Sequence, residues 1–224
     1  MATSNQSRLP RLWLIEPDAK QRRILARRLR RMGSFTLAGI SESWRRPFDE
    51  HLITALDCVI MELAQREGGG LIGLEKLLSH GNGPRVIIYT NRLTKEGLRI
   101  ALERGVQGYV YKGDSITYLR DGIRAVFEGG TYVSASPSGL IRSIAVRPRG
   151  KKRTREHEDR LMLELCAGKT VGQAARDLGI SSQYAEKLAR DLYSRFEVNY
   201  RSELKKVAVD LGIVDSGTAQ MNKL

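Results

Sequence analysis

The chain has 224 residues, of which 41% are hydrophobic and 28% charged, a composition that suits a globular protein with a sizeable core. No apolar run approaches the ~18 residues a membrane span needs, and the N-terminus has no signal-peptide core, so a cytoplasmic protein is expected. Two cysteines, Cys58 and Cys166, each inside an apolar run, read as packing residues in a reducing compartment rather than as a disulfide or metal pair. The net charge of +13 points to a polyanionic partner. That charge is unevenly placed. Residues 1–135 hold 21 basic and 14 acidic residues, seven more basic residues fall between Arg142 and Arg155, and from Glu156 onward there are 10 basic and 11 acidic.

In chain order, Arg11 to Ile15 is a short apolar run closed by Glu16-Pro17-Asp18. Asp18 is placed to cap a helix with Ile24, Leu25, Leu29 and Met32 inward, stopped by Gly33. Phe35–Ile40 reads as a strand and Phe48–Leu56 as a short helix. Asp57–Glu62 is an apolar run closed by one carboxylate, the pattern of a buried parallel strand. After Gly68-Gly69-Gly70 comes a helix from Leu71 to about Ser79. Pro84–Thr90 is a strand, Thr94–Arg104 a helix, Gln107–Lys112 a strand and Ser115–Glu128 a helix. Strand and helix alternate five times, which predicts a doubly wound, five-stranded parallel sheet. Polar side chains close its strands: Glu16 with Asp18, Glu62, Thr90 and Lys112. Such an edge makes a polar site rather than a core.

The Ser134-Ala135-Ser136-Pro137-Ser138-Gly139 stretch has the composition of a boundary. A short apolar helix is predicted over Leu140–Val146, then an exposed basic linker over Arg147–Arg153. Beyond it the periodicity is helical throughout. Leu161, Met162, Leu165 and Cys166 define one helix. Thr170 caps a second over Val171–Leu178, Gly179 turns the chain, and Ser181 or Ser182 caps a long helix to about Phe196. Two helices joined by a Gly-containing turn are a helix-turn-helix signature. A last helix is predicted over Ser202–Leu211.

Across residues 9–135 these strand ends, with Tyr109 three positions before Lys112 and the segment Gly108-Tyr109-Val110-Tyr111-Lys112-Gly113-Asp114-Ser115, resemble a response-regulator receiver of the branch that carries LuxR-type DNA-binding domains. Residues 154–214 resemble that LuxR-type domain. Thr154-Arg155-Glu156 matches its opening, Thr170–Ser181 its helix-turn-helix and Val198–Leu204 its closing stretch. The whole is similar to a NarL/FixJ-type response regulator: a receiver-like domain (9–135), a basic linker (136–153) and a helix-turn-helix domain (154–214).

The resemblance implies a DNA-binding transcriptional regulator, not an enzyme, acting on double-stranded DNA as a homodimer. The three histidines, His51, His80 and His157, show no metal or nucleophile spacing and read as surface residues. Two departures fall on the receiver's chemistry. Pro17 stands where the family has a Mg²⁺-binding carboxylate, and Glu62 stands at the phosphoacceptor position. The implied pocket is Glu16, Asp18, Thr90 and Lys112, with Tyr109 as the switch. Neither Mg²⁺ nor another cofactor is expected, and ordinary phosphotransfer is not expected. Glu62 reads either as a built-in mimic of the phosphorylated residue or as a plain buried ion pair with Lys112.

On the long helix of the C-terminal part, Ser182, Gln183, Glu186, Lys187, Arg190 and Ser194 would face the major groove, and Lys169, Thr170 and Arg201 would touch the DNA backbone. Glu186 can accept from a cytosine amino group or repel phosphate. The near-neutral module would draw much of its attraction from the Arg142–Arg155 stretch. The run Arg22, Arg23, Arg27, Arg28, Arg30 and Arg31 reads as a solvated face, a second phosphate-backbone contact or a dock for an acidic partner. Alternatives to the regulator are a protein-interaction adaptor that no longer reads DNA, and a sensor whose Glu16–Glu62–Lys112 crevice holds a small-molecule ligand.

Overall fold

The computed structural model describes residues 8–45, 50–65, 70–79, 81, 83–141, 152–196, 198–210 and 213–214. The helix start expected at Phe48, most of the expected glycine loop and the Arg142–Lys151 stretch lie outside these.

Six parallel strands form one sheet in the order β2-β1-β3-β4-β5-β6. They are β1 (Arg11–Ile15), β2 (Thr36–Ser41), β3 (Cys58–Met61), β4 (Arg85–Thr90), β5 (Gly108–Tyr111) and β6 (Tyr132–Val133). The sixth strand corrects the five-stranded expectation. It is two residues long and only half-buried, too short to show a periodicity in sequence. The helices between the strands are α1 (Ala19–Met32), α2 (Glu50–Ala55), α3 (Gly70–Leu78), α4 (Lys95–Glu103) and α5 (Ile116–Phe127). β3 is buried at every position, as a strand covered on both faces must be.

The two faces of the sheet bury separate apolar clusters. Leu12, Leu14, Leu25, Leu29, Ile60, Ile87 and Val110 pack with α1 and α5. Ile15, Val59, Met61, Leu74, Ile88 and Leu98 pack on the other face. α1 begins where Asp18 Oδ1 accepts the Gln21 N–H at 2.7 Å and ends at Gly33 with φ 68°. Its buried residues are Leu25, Ala26 and Leu29, whereas Ile24, expected inward, is 44% exposed. The β1–β2 register shifts at Leu12/Trp13, and there the Trp13 ring lies on Gly39, where a Cβ would come within 2.1 Å of it.

After β6 the chain forms α6 (Ala135–Ile141), which takes in the first two residues of the helix predicted over Leu140–Val146; residues 142–146 lie outside the described ones. Ser134 and Ser136 tie down the start of α6. Both hydroxyls donate to Asp114, at 2.6 and 2.5 Å, and the Ser134 Oγ accepts the Tyr111 N–H. Pro137 then sits in the first turn, where a missing N–H costs nothing. The hydrogen bonds outweigh the effect of burial and hold the Asp114 carboxyl below its ordinary range.

The C-terminal helices are α7 (Lys152–Cys166), α8 (Val171–Leu178), α9 (Ser182–Arg195) and α10 (Arg201–Asp210). The described part of α7 begins at Lys152, and residues 142–151 before it lie outside the described ones. A capping box between Thr170 and Gln173 starts α8, and Gly179 (φ 64°) ends it, which suits a residue without Cβ. Ala185, Leu188, Ala189 and Leu192 bury the inner face of α9 against α7 and α8. Each buried leucine contributes about 1.5–3 kcal/mol through area removed from water.

The helical part docks on the α3–α4 side of the sheet. α7 packs on α3, and the buried Arg104 guanidinium joins Glu75 (2.7 Å) to Asp159 of α7 (2.5 Å). Arg99 donates to the Arg195 carbonyl at 3.2 Å, and Arg92 to that of Val209. Burial pushes the Asp159 carboxyl up to about 6, with Arg104 opposing. Among the described residues, no helix is long and apolar enough to cross a membrane.

Candidate functional site: a carboxylate–ammonium cluster and an open helix-turn-helix face

Parallel strands deliver their terminal side chains to one crevice, and in the 2-1-3-4-5 strand order the switch point lies between β1 and β3. Glu16 follows β1, Glu62 follows β3, Thr90 ends β4 and Lys112 follows β5. The Lys112 ammonium donates to Glu16 Oε2 at 2.5 Å and to Glu62 Oε2 at 2.8 Å. Both carboxylates are almost fully buried, at 3% and 4% exposed. Lys112 also lies 5.6 Å above the Tyr89 ring centroid. Burial would lower the lysine's pKa, but the charges of Glu62 and Glu16 reverse this and raise it.

The other carboxylate oxygens are engaged as well. Glu62 Oε1 accepts the Ala64 N–H at 3.1 Å, and Glu62 Oε2 also accepts the Asn91 N–H at 3.4 Å. Glu16 Oε1 accepts the Asp18 N–H at 3.0 Å. Glu62 thus gathers an ammonium and two backbone donors from two different loops. Sequence reading identifies the ammonium but misses the backbone donors, which carry no side-chain signal.

Three expected neighbours stand apart from the Lys112 ion pairs. The Asp18 side chain caps α1 and is exposed, so Asp18 contributes to the cluster only its backbone N–H. Thr90 is buried at the end of β4, with its Oγ1 accepting the Arg92 N–H at 3.0 Å. Tyr109 is turned inward, 3% exposed, and burial together with the Glu62 charge raises its phenol pKa. Ile213, from beyond α10, lines a small crevice with Thr90, Thr94 and Tyr109. Pro17 supplies no side-chain oxygen, and the carboxylate oxygens of Glu16 and Glu62 are turned to Lys112 and backbone N–H groups.

The helix-turn-helix presents a different chemistry. Ser182, Gln183, Glu186, Lys187, Arg190 and Ser194 are all exposed along one side of α9. Among the described residues, no side chain of Gln183, Glu186, Lys187 or Arg190 has a hydrogen bond or ion pair to another residue. The docked receiver-like part touches α9 at its C-terminal end, where Arg99 donates to the Arg195 carbonyl. The three expected backbone contacts have structural roles. Lys169 is paired with Glu164 (2.6 Å) and Asp177 (2.7 Å), Thr170 caps α8, and Arg201 donates to the Gly168 and Lys169 carbonyls. His157, expected at the surface, is instead half-buried and packs edge-on against Tyr184 at 5.7 Å.

A parallel sheet with a polar strand-end cluster, followed by a helix-turn-helix, is the architecture of a receiver joined to a DNA-binding type of module. No family model matches the chain. Among curated relatives, it is 26% identical to the transcriptional regulatory protein MctR of Rhizobium johnstonii, over 70% of this chain and 72% of that one. It is 21% identical to the response regulator UvrY of Escherichia coli, over 73% and 77%. Among solved structures, RcsB from Salmonella enterica bound to promoter rprA superposes with a TM-score of 0.63 at 16% identity, covering 89% of this chain and 98% of that one. The response regulator ChrA of a heme-sensing two-component system gives 0.50 at 22% identity, over 91% and 98%. The relatives are thus a transcriptional regulatory protein and a response regulator, and the solved structures share with this chain the fold of response regulators.

Proposed function

We propose that the protein is a DNA-binding transcriptional regulator, acting as a homodimer, whose receiver-like part is held in one state without phosphotransfer. The observation that carries this is the Glu16–Lys112–Glu62 cluster. The ammonium is already neutralised by two buried carboxylates, and Pro17 leaves the cluster one carboxylate short of the family's metal site. Mg²⁺, with its demand for near-ideal octahedral oxygens, does not fit this donor set. Glu62 acts as a fixed anion, held where an ammonium and the Ala64 and Asn91 N–H groups converge.

DNA binding is supported by the exposed face of α9. Arg190 and Lys187 can reach guanine edges or phosphates, and Gln183 can pair with adenine. Related folds point the same way, since RcsB is described bound to DNA and as dimers on DNA. The open α9 face in the docked arrangement fits a reading head that needs no release.

The test is duplex recovery. Genomic fragments retained by the purified full chain are compared with those retained by a Lys187→Ala/Arg190→Ala variant. A defined set of fragments lost in the variant is expected. Identical recovery by both proteins rejects α9 as the reading element, and no duplex binding even at low salt favours the adaptor.

A further inference from the structure

α1 carries seven basic residues among fourteen and no acidic one. Arg22 turns inward and donates to the Glu16 and Pro17 carbonyls, at 2.6 and 3.1 Å. The other six, Lys20, Arg23, Arg27, Arg28, Arg30 and Arg31, are exposed. None of them has an ion pair or hydrogen-bond partner from another side chain among the described residues. The buried stripe of Leu25, Ala26 and Leu29 fixes the helix's rotation, so at helical spacing these six cations share the opposite side, around the exposed Ile24. From Lys20 to Arg31 the strip runs about 17 Å at 1.5 Å per residue.

The arrangement works against the helix that carries it. Arg23/Arg27 and Arg27/Arg31 are like charges four apart, and Lys20 and Arg23 lie near the positive end of the helix dipole. Only Arg30 and Arg31 are placed where the dipole favours a cation. A merely solvated face needs none of this, and acidic residues interspersed would solubilise it as well. Five of the six cations are arginine, whose planar fork matches phosphate oxygens two at a time. The helix-turn-helix region, by contrast, has 10 basic and 11 acidic residues from Glu156 onward. A reading head so close to neutral obtains little counterion-release affinity of its own.

We propose that the exposed face of α1 is a sequence-independent contact for the phosphate backbone of duplex DNA. The receiver-like part then adds electrostatic affinity to that of the Arg142–Arg155 stretch, while α9 supplies selectivity. The choice of duplex DNA as the polyanion rests on the DNA-binding reading above.

The experiment measures binding of the full chain to a random-sequence DNA duplex across a salt series, for the wild type and Arg23→Gln/Arg27→Gln/Arg31→Gln. Loss of three phosphate contacts makes the slope of log K against log salt shallower by about 2.7, at about 0.9 per contact. The Arg23→Lys/Arg27→Lys/Arg31→Lys protein keeps most of the slope, and neither variant melts earlier than the wild type. An unchanged slope in the glutamine variant, with wild-type duplex binding intact, overturns the proposal and leaves the α9 reading standing. The same result combined with a loss of poly-L-glutamate binding overturns it in favour of an acidic protein partner. If the wild type binds no duplex at any salt, the DNA-binding reading fails and the proposal fails with it.

Discussion

Replacing Lys112 by methionine removes an ammonium bonded to two buried carboxylates while keeping most of the apolar stem. The side chains of Lys112, Glu16 and Glu62 are 9%, 3% and 5% exposed, so water does little to replace the lost bonds. Two charge-assisted hydrogen bonds disappear, and two negative charges are left facing one another. Removing one partner of a buried ion pair costs about 3–5 kcal/mol, against the 5–15 kcal/mol by which typical domains are stable. Urea unfolding of Lys112→Met should therefore show a loss in that range, with an unchanged m-value. The double variant Lys112→Met/Glu62→Gln should recover part of it, because one of the stranded charges is gone. The sign with pH is also fixed. Lys112's folded pKa lies above its ordinary 10.5, so its stabilisation is fully present below 10.5 and is lost only as pH rises through the higher folded value. The loss in Lys112→Met should accordingly be of similar size from pH 7 to pH 9. A loss below about 1 kcal/mol, the range of exposed ion pairs, would refute the reasoning.

Arg104→Leu leaves Glu75 and Asp159 buried without their shared cation and should cost about 3–5 kcal/mol in urea unfolding, with α7 amides exchanging faster than those of β3. Asp159 makes docking depend on pH: its folded value of about 6 lies above the ordinary 3.8, so the folded state holds the proton longer and stability falls as pH rises between the two. Asp159→Asn should remove that slope from a series of melting curves. Thr170→Ala breaks the capping box of α8 and should cost about 1 kcal/mol, which Thr170→Ser should restore.

Most of the sheet is legible in the sequence because its signals are local. β1, β3, β4 and β5 are apolar runs closed by polar residues, and the residues that close them are those that meet in the crevice. The helix-turn-helix is legible for the same reason, with Thr170, Gly179 and Ser181 marking its turns. What escapes is what depends on distant parts of the chain. The placement of α6 follows from Asp114 accepting from Ser134 and Ser136, some 20 residues on. Arg104, Glu75 and Asp159 look like ordinary surface charges in sequence, and only the packing of α7 on α3 makes them a buried triad. Asp18 is legible twice, as a helix cap and as a carboxylate beside Glu16 at the strand end. The fold uses its side chain for the cap, because the geometry of the β1–α1 turn points that side chain at the Gln21 N–H.

The claim on which everything else turns is that Glu62 and Lys112 set the receiver-like part permanently. The most direct measurement is duplex affinity of the full chain with and without acetyl phosphate and Mg²⁺, followed in parallel by intact-protein mass. The account predicts no added phosphoryl group and the same affinity in both conditions. A mass increase of one phosphoryl group accompanied by tighter DNA binding would contradict it.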